Sequence, residues 1–321
     1  MSILVITNKI DPHSDEVIKI LQNKKAEVFR LNTEDFCTNI ETILKIENGH
    51  FDGKFKSKLR EIEFSKIKSV LYRRPKKTEA DHIQNDHYRN FVESECWFYL
   101  NWLWEALPCF WISKPSCIRK AESKIKQLTI ANQFGFTIPK TLITTNPEEA
   151  RCFCRECGGN VVNKVLGTGF IEDQGIIKTI YTHRINDTDL GHTESIQCVP
   201  CVFQERIEKK FELRITVVGK KVFAAEIHSQ NSPRTKDDWR RYDLENTPHF
   251  PHKLPEQIQK ACVEFVSYYG LAFGAIDMIV TPKNEYIFLE LNPNGQWFWI
   301  ERLTNLPISE AIADLLINPD L

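Results

Sequence analysis

The apolar run ILVIT from Ile3 to Thr7, an amphipathic stretch from Ser14 to Asn23 and a second apolar run from Glu27 to Leu31 predict strand, helix and strand. A β-α-β opening of this kind implies an open α/β domain. From Asn39 to Lys58 the pattern reads as a β-excursion with turns at Asn48-Gly49 and Asp52-Gly53, and Ser69 to Tyr72 returns as a strand ending in Arg73-Arg74-Pro75. A helical period from His82 to Ala106 carries Phe91, Trp97, Phe98, Leu100, Trp102, Leu103 and Trp104 and is ended by Pro108. Such aromatic density suits a core or a subunit interface, and a homodimer is one expectation. A second unit opens near Ile118 with a helix from Ala121 to Phe134 and a strand from Thr141 to Thr144. A third carries strands from Arg214 to Val218 and from Val222 to His228, a helix from Glu256 to Tyr269, a hairpin, and a closing helix from Ile308 to Leu316. The expected division is 1–117, 118–200 and 201–321.

The hairpin carries the chemistry. Pairing Thr281 with Tyr286 across the turn Pro282-Lys283-Asn284-Glu285 places Asp277 opposite Glu290 and Ala275 opposite Asn292. Directly opposed residues point to one face of a sheet. Two carboxylates and an amide oxygen then share a face, while Ile276, Met278, Val280, Ile287, Leu289 and Leu291 fill the other. Hard oxygen ligands suit Mg²⁺, which binds through one or two carboxylates plus substrate phosphates, so a nucleoside triphosphate is expected nearby. Without a cation, two like charges brought together would be costly.

Composition narrows the picture without redirecting it. A chain of 321 residues has room for two or three units sharing a cleft. With 42 basic and 43 acidic residues, the net charge of -1 gives no general case for nucleic acid. No apolar run reaches the length of a membrane span, and the N-terminus has no signal-like region, so a cytoplasmic protein without a membrane partner is expected. The ten cysteines then read as reduced thiols. Cys152, Cys154 and Cys157 with Cys198 and Cys201 have enough thiols for a structural zinc, but a Cys-x-Cys step splays ligands around a helix, and small apolar packing is the preferred reading.

Nucleotide signals lie between the units. The strand from Asn160 to Lys164 runs into Gly167-Thr168-Gly169, where a lysine and turn amides can approach phosphate oxygens. Lys124, near the start of its helix, offers a second cation. The run Val202-Phe203-Gln204-Glu205-Arg206-Ile207 alternates apolar residues with backbone amides suited to an adenine edge, and Glu212 is a candidate for a ribose hydroxyl.

Taken in order, Lys164 with Gly167-Thr168-Gly169, Phe203-Gln204-Glu205, Glu212-Leu213-Arg214, Asp277 and Glu290-Leu291-Asn292 resemble an ATP-grasp ligase. More narrowly, Tyr72-Arg73-Arg74-Pro75, Ile138-Pro139-Lys140-Thr141, Asp238-Trp239-Arg240-Arg241-Tyr242-Asp243 and Asn292-Pro293-Asn294-Gly295-Gln296-Trp297 resemble the microviridin-maturation branch, the MvdC/MvdD-type graspetide synthetases. The resemblance implies an α/β fold with an N-terminal pre-ATP-grasp domain, a central domain and a C-terminal ATP-grasp domain, with ATP between the last two. It implies that Lys124 and Lys164 bind phosphate, that Glu205 with the Arg206-Ile207 backbone faces adenine, that Glu212 faces ribose, and that Asp277, Glu290 and Asn292 hold Mg²⁺.

The activity so implied is ATP-dependent joining of side-chain carboxylates of a ribosomal precursor peptide to Ser/Thr hydroxyls or Lys amines, through an acyl phosphate. Arg214 is the candidate for contact with the acyl phosphate, and Arg73, Arg74 and Arg240 are candidate forks for substrate carboxylates. The resemblance also implies that a leader peptide docks on the central domain, with Ile176 to Cys198 as the candidate region. Gly167 to Gly175 and Ser229 to Asp238 are candidate lids. The competing readings are a RimK- or glutathione-synthetase-like carboxylate-amine ligase and a nucleotide-binding module without catalysis.

Overall fold

The computed structural model describes residues 2–319 apart from Thr168 and Gly175. Its N-terminal sheet is parallel, with Ser2–Thr7 flanked by Glu27–Asn32 and Ile67–Tyr72, and with Phe110–Ile112 at the far edge. The first helix, Pro12–Asn23, starts where Asp11 accepts the His13 N–H and Pro12 supplies a preset φ. One face of this sheet packs on the helix Asp86–Ala106 and on a three-stranded antiparallel excursion, Glu41–Glu47, His50–Lys56 and Glu61–Glu63. Asn48-Gly49 makes the expected turn. Asp52-Gly53 does not: Gly53 lies inside a strand opposite Leu44, where a Cβ would sit 1.9 Å from the Ile43 carbonyl oxygen.

The central sheet runs His183–Arg184, Val161–Lys164, Cys201–Glu205, Thr141–Thr144, all antiparallel. The strand Cys201–Glu205 therefore belongs to the central unit rather than to the third. The expected helix from Ala121 to Phe134 is instead broken into Pro115–Ala121, Lys124–Ala131 and a 3-10 turn, because Ser123 caps a new start at Lys126 N. Ile118, Ala121, Ile130, Ala131 and Phe136 pack into the core beneath the C-terminal sheet, which moves this segment out of the central unit. The hydrogen-bonded central sheet spans 141–205.

Five antiparallel strands form the C-terminal sheet in the order His249–His252, Lys221–Ile227, Phe211–Val218, Phe273–Val280, Tyr286–Asn292. The helix Glu256–Tyr268 covers one face through Ala261, Cys262, Phe265 and Val266. A separate core joins this sheet to the N-terminal one: Ile3, Val5, Val17, Leu21, Leu71 and Ile112 pack with Val218, Phe273, Trp297 and the closing helix Ile308–Ile317. Among the described residues no helix is long and apolar enough to cross a membrane.

Candidate active site

The face of the C-terminal sheet turned away from the helix Glu256–Tyr268 carries Glu212, Arg214 and Thr216 on one strand and Ala275, Asp277 and Ile279 on its neighbour, each pair directly opposed and all but Asp277 buried. Across the hairpin, Asp277 faces Glu290 and Ala275 faces Asn292, as expected from sequence. The route to that register differs. Near the turn the strands pair one residue out of step, Val280 with Tyr286 and Met278 with Phe288, and a bulge at Leu289 restores the alignment at Asp277. Phe288 rather than Leu289 accordingly enters the core, and Ile287, buried like Ile279 opposite it, does not join the core under the helix.

Charge balance holds the carboxylates. Arg214 Nη1 donates to both oxygens of Asp277 at 2.7 Å, and its Nη2 donates to the Gln296 carbonyl at 3.3 Å. Lys124 Nζ lies 3.1 Å from Glu290 Oε2 and donates to the Val165 carbonyl at 3.3 Å, which ties the end of the Val161–Lys164 strand to the acidic hairpin. Burial pushes the Asp277 carboxyl above its ordinary range, with Arg214 opposing and Glu290 adding to the shift. Burial acts in the same direction on Glu290, but Lys124 and Lys164 outweigh it and hold this carboxylate below its ordinary range. Burial pushes the Lys164 ammonium down to about 8, against the attraction of Glu290.

Two carboxylates and an amide fit a hard divalent cation whose remaining ligands are phosphate oxygens and water. Asn292 Nδ2 donates to Asp277 at 2.9 Å, so its amide must turn to offer Oδ1. A second sign of fit is the nucleotide side: Glu212 is 5% exposed, its Oε1 accepts from Lys209 at 2.7 Å, and its Oε2 is buried without a partner. An orphaned carboxylate oxygen at that depth calls for a hydroxyl donor. Gln204, also buried, accepts from Lys164 Nζ at 2.6 Å and donates to Thr141 at 3.0 Å, so it steers the lysine. In the adenine candidate run, the Glu205 and Arg206 amides are committed to the Lys140 and Asn160 carbonyls. That corrects the expectation for the Arg206 amide and leaves Ile207 as the residue of that pair whose N–H has no partner among the described residues.

Gly169 adopts φ +68°, and a Cβ there would meet Val165 at 3.0 Å and the Ile180 carbonyl at 3.1 Å, which accounts for glycine at this turn. Gly167 is exposed, and Thr168 lies outside the described residues. Arg73 is corrected: it is fully buried, donates to Asn294 and stacks on Trp297, so no edge of its guanidinium faces an open site. Arg74 is exposed, and with its amide oxygen facing Arg74, Gln296 accepts from both guanidinium ends at 3.0 and 3.1 Å. Arg240 is held by Asp238 through Nε at 2.9 Å and Nη2 at 2.5 Å, and Asp238 also accepts the Thr182 N–H at 2.9 Å. The segment ending at Asp238, a candidate lid, is thereby bonded to the strand-flanking residue Thr182.

Gln127 was missed from sequence. It accepts the Leu291 N–H at 2.7 Å and donates to the Leu291 carbonyl at 2.8 Å, completing the edge strand in place of a neighbour and setting Lys124 beside Glu290. A polar residue on the same helix face as Ile130 and Ala131 was its available signal. Among the described residues no group of three or more Cys, His, Asp or Glu is arranged to hold an ion. A groove of about 530 Å³ lined by Lys25, Glu27, Arg60 and Glu61 contains none of Lys124, Lys164, Asp277 and Glu290.

Opposed acids, two converging lysines and a buried carboxylate oxygen without a partner, between two antiparallel sheets, define an ATP-grasp architecture. A family model described as the MvdD pre-ATP grasp domain matches residues 2–119. The chain is similar to a RiPP-associated ATP-grasp ligase of Chryseobacterium gregarium solved with ADP and a leader and core peptide, at 33% identity and TM-score 0.92, over 100% of this chain and 98% of that one. It is similar to the macrocyclase MdnC of Microcystis aeruginosa MRC bound with precursor peptide MdnA, at 33% identity and TM-score 0.86, over 99% of this chain and 100% of that one. The macrocyclase MdnB of the same organism matches at 31% identity and TM-score 0.79, over 99% of each chain. No curated protein matches the sequence. The chain belongs to the RiPP-associated, MvdD-type ATP-grasp ligases.

Proposed function

We propose that this protein is an ATP- and Mg²⁺-dependent ligase that phosphorylates side-chain carboxylates of a ribosomal precursor peptide and joins them to Ser or Thr hydroxyls, or to Lys amines, within the same peptide to give macrocycles. The observation that carries the reading is the Lys124–Glu290 contact facing Asp277, with Lys124 also bonded to the Val165 carbonyl at the end of a central-sheet strand, which gathers phosphate cations and metal-type acids at one place. It is supported by relatives that include a ligase with ADP, leader and core peptide and a macrocyclase with its precursor.

A carboxylate does not condense with a hydroxyl in water, so its attack on the γ-phosphate first creates a good leaving group. Positioning and charge neutralisation do most of that work. Lys164, steered by Gln204, and Lys124 bind the phosphates. Glu212 accepts a ribose hydroxyl, and adenine lies against the Gln204–Ile207 run. Asp277, Glu290 and Asn292 would hold Mg²⁺, which supplies further neutralisation of phosphate charge. Arg214, whose Nε is buried without a partner, contacts the acyl phosphate. Arg74 and Arg240 receive the acidic core.

The hairpin Phe170–Asp173 and Ile176–Thr179 suits the leader: Phe170, Ile171, Ile176 and Ile177 are all more than half exposed on one short two-stranded ribbon. The helix Asp86–Ala106 suits a homodimer, because Tyr88, Phe91, Phe98 and Trp102 recur at helical spacing and stand in solvent. Ten unpaired cysteines favour a cytoplasmic setting. The test is incubation with Mg²⁺·ATP and synthetic peptides carrying an apolar leader and a core rich in Thr, Ser and Glu. The reading expects ADP release with loss of one water mass per linkage. ADP release only with a free amino acid or other amine would favour the carboxylate-amine reading, and nucleotide binding without turnover the non-catalytic one.

A further inference from the structure

Arg73 stands at the end of the strand Ile67–Tyr72, with its N–H on the Ile6 carbonyl at 2.8 Å, and its side chain is wholly enclosed. Nη1 donates to the carbonyl and to Oδ1 of Asn294, and the guanidinium lies 4.8 Å from the centre of the Trp297 ring. The space beside it, lined in part by Ser113, Asn294 and Trp297, measures about 10 Å³, room for at most one water and for no substrate group. Nε and Nη2 find no partner there. Burying a guanidinium so incompletely paired costs stability, and an apolar side chain of similar size would cost less.

What the arginine grips is the loop after Asn292. Gly295 is pressed against the site: a Cβ there would lie 2.5 Å from the Ala275 Cβ and 3.1 Å from Arg214 Nη2. Gln296 receives Arg214 through its carbonyl and Arg74 through its side chain. Trp297 donates to Ser309 at 3.0 Å and meets the His13 ring edge at 4.5 Å. Burial and the neighbouring Arg73 charge push His13 down to about 3, so it stays neutral and accepts the Phe298 N–H through Nδ1.

We infer that Arg73 is a positioning residue, by which the N-terminal unit clamps the loop Pro293-Asn294-Gly295-Gln296-Trp297 and so fixes Arg214 and Asn292 for the phosphoryl transfer. The inference rests on the proposed ligase reading. Arg73 is fully enclosed, with no surface from which to meet nucleotide or peptide, and Lys124 and Lys164 lie on other elements.

The experiment compares the parent with Arg73→Met, Arg73→Lys and Asn294→Ala, using Mg²⁺·ADP titration, steady-state ADP release with the Thr- and Glu-rich peptides described above, and amide hydrogen exchange. Arg73→Met is expected to lower kcat by about 100-fold with the KM for ATP within about twofold, the split expected when orientation rather than ground-state binding is lost. Arg73→Lys, which keeps the charge but not the fork, restores part of kcat, and Asn294→Ala lowers kcat in the same sense. Faster exchange at Gly295 and Trp297, with the helix Lys124–Ala131 unchanged, marks the released loop. A kcat within twofold of the parent's for Arg73→Met, or unchanged exchange in that loop, would overturn the inference. A parent inert on every peptide sinks the ligase reading instead, and the exchange comparison still decides the clamp.

Discussion

Arg214 and Asp277 face each other directly across two antiparallel strands, and one guanidinium nitrogen lies 2.7 Å from both carboxylate oxygens. With side chains only 7% and 14% exposed, the pair is a structural contact as well as part of the site. The acid that would hold the cation is therefore the same acid that neutralises the arginine.

That double duty separates Asp277 from Glu290. Asp277→Ala should abolish turnover and destabilise the fold by about 3–5 kcal/mol, because Arg214 is left buried and unpaired. Glu290→Gln should abolish turnover at a smaller stability cost, since Lys124 is about a third exposed and Lys164 keeps its bond to Gln204. Urea unfolding of both variants tests this, and Asp277→Ala/Arg214→Met should recover stability without activity. Equal unfolding midpoints for Asp277→Ala and the parent would count against the buried pair.

Lys164 predicts a pH signature. Burial lowers its folded pKa from 10.5 to about 8, so above pH 8 the free protein has lost the proton that a bound phosphate would favour. Nucleotide binding then takes up a proton, and the Mg²⁺·ADP dissociation constant should rise about tenfold per pH unit above pH 8. Lys164→Arg should flatten that rise, because guanidinium does not titrate there. The same depressed pKa implies that folding stability increases between pH 8 and 10.5, where the unfolded chain holds the extra proton. A flat affinity profile in the parent, measured by calorimetry, contradicts the assignment.

The exposed ribbon gives a third expectation. Replacing Phe170, Ile176 and Ile177 together by Ser should raise the KM for a leader-bearing peptide about tenfold or more, as loss of buried apolar contact area predicts, while Mg²⁺·ADP affinity stays unchanged. Fluorescence anisotropy of a labelled leader checks the first part. Unaltered leader binding would move the docking surface elsewhere.

On the helix Asp86–Ala106, Trp102 is 70% exposed and Phe91 63%, more than a monomer needs. Light scattering of the parent should give twice the chain mass, and Trp102→Glu should shift it to the monomer. A monomeric parent at micromolar concentration removes the interface.

The hairpin shows what was legible and what was not. Alternation of Asp277, Glu290 and Asn292 with apolar neighbours named the acidic face, because side-chain direction in a strand has period two. The bulge at Leu289 was invisible: an extra residue leaves the local pattern apolar and appears only once both strands are paired. Counting from the turn reached the right partners although the turn-proximal register was one residue off. Lys164 beside a glycine turn was likewise readable, whereas its depressed pKa comes from burial, opposed by Glu290 and reinforced by Lys209 and Lys124, all set by segments distant in the chain.

The sequence by itself determined most of the elements, their amphipathic faces and the presence of residue types suited to phosphate and a hard cation, since these follow from local periodicity and side-chain chemistry. Only the tertiary structure decided which of two neighbouring arginines is sealed in and which stands exposed. Arg73 and Arg74 are adjacent in the chain, yet one is sealed against Trp297 and the other is exposed beside Gln296. Burial and partners from residues more than two hundred positions away set that difference, and no local pattern encodes them.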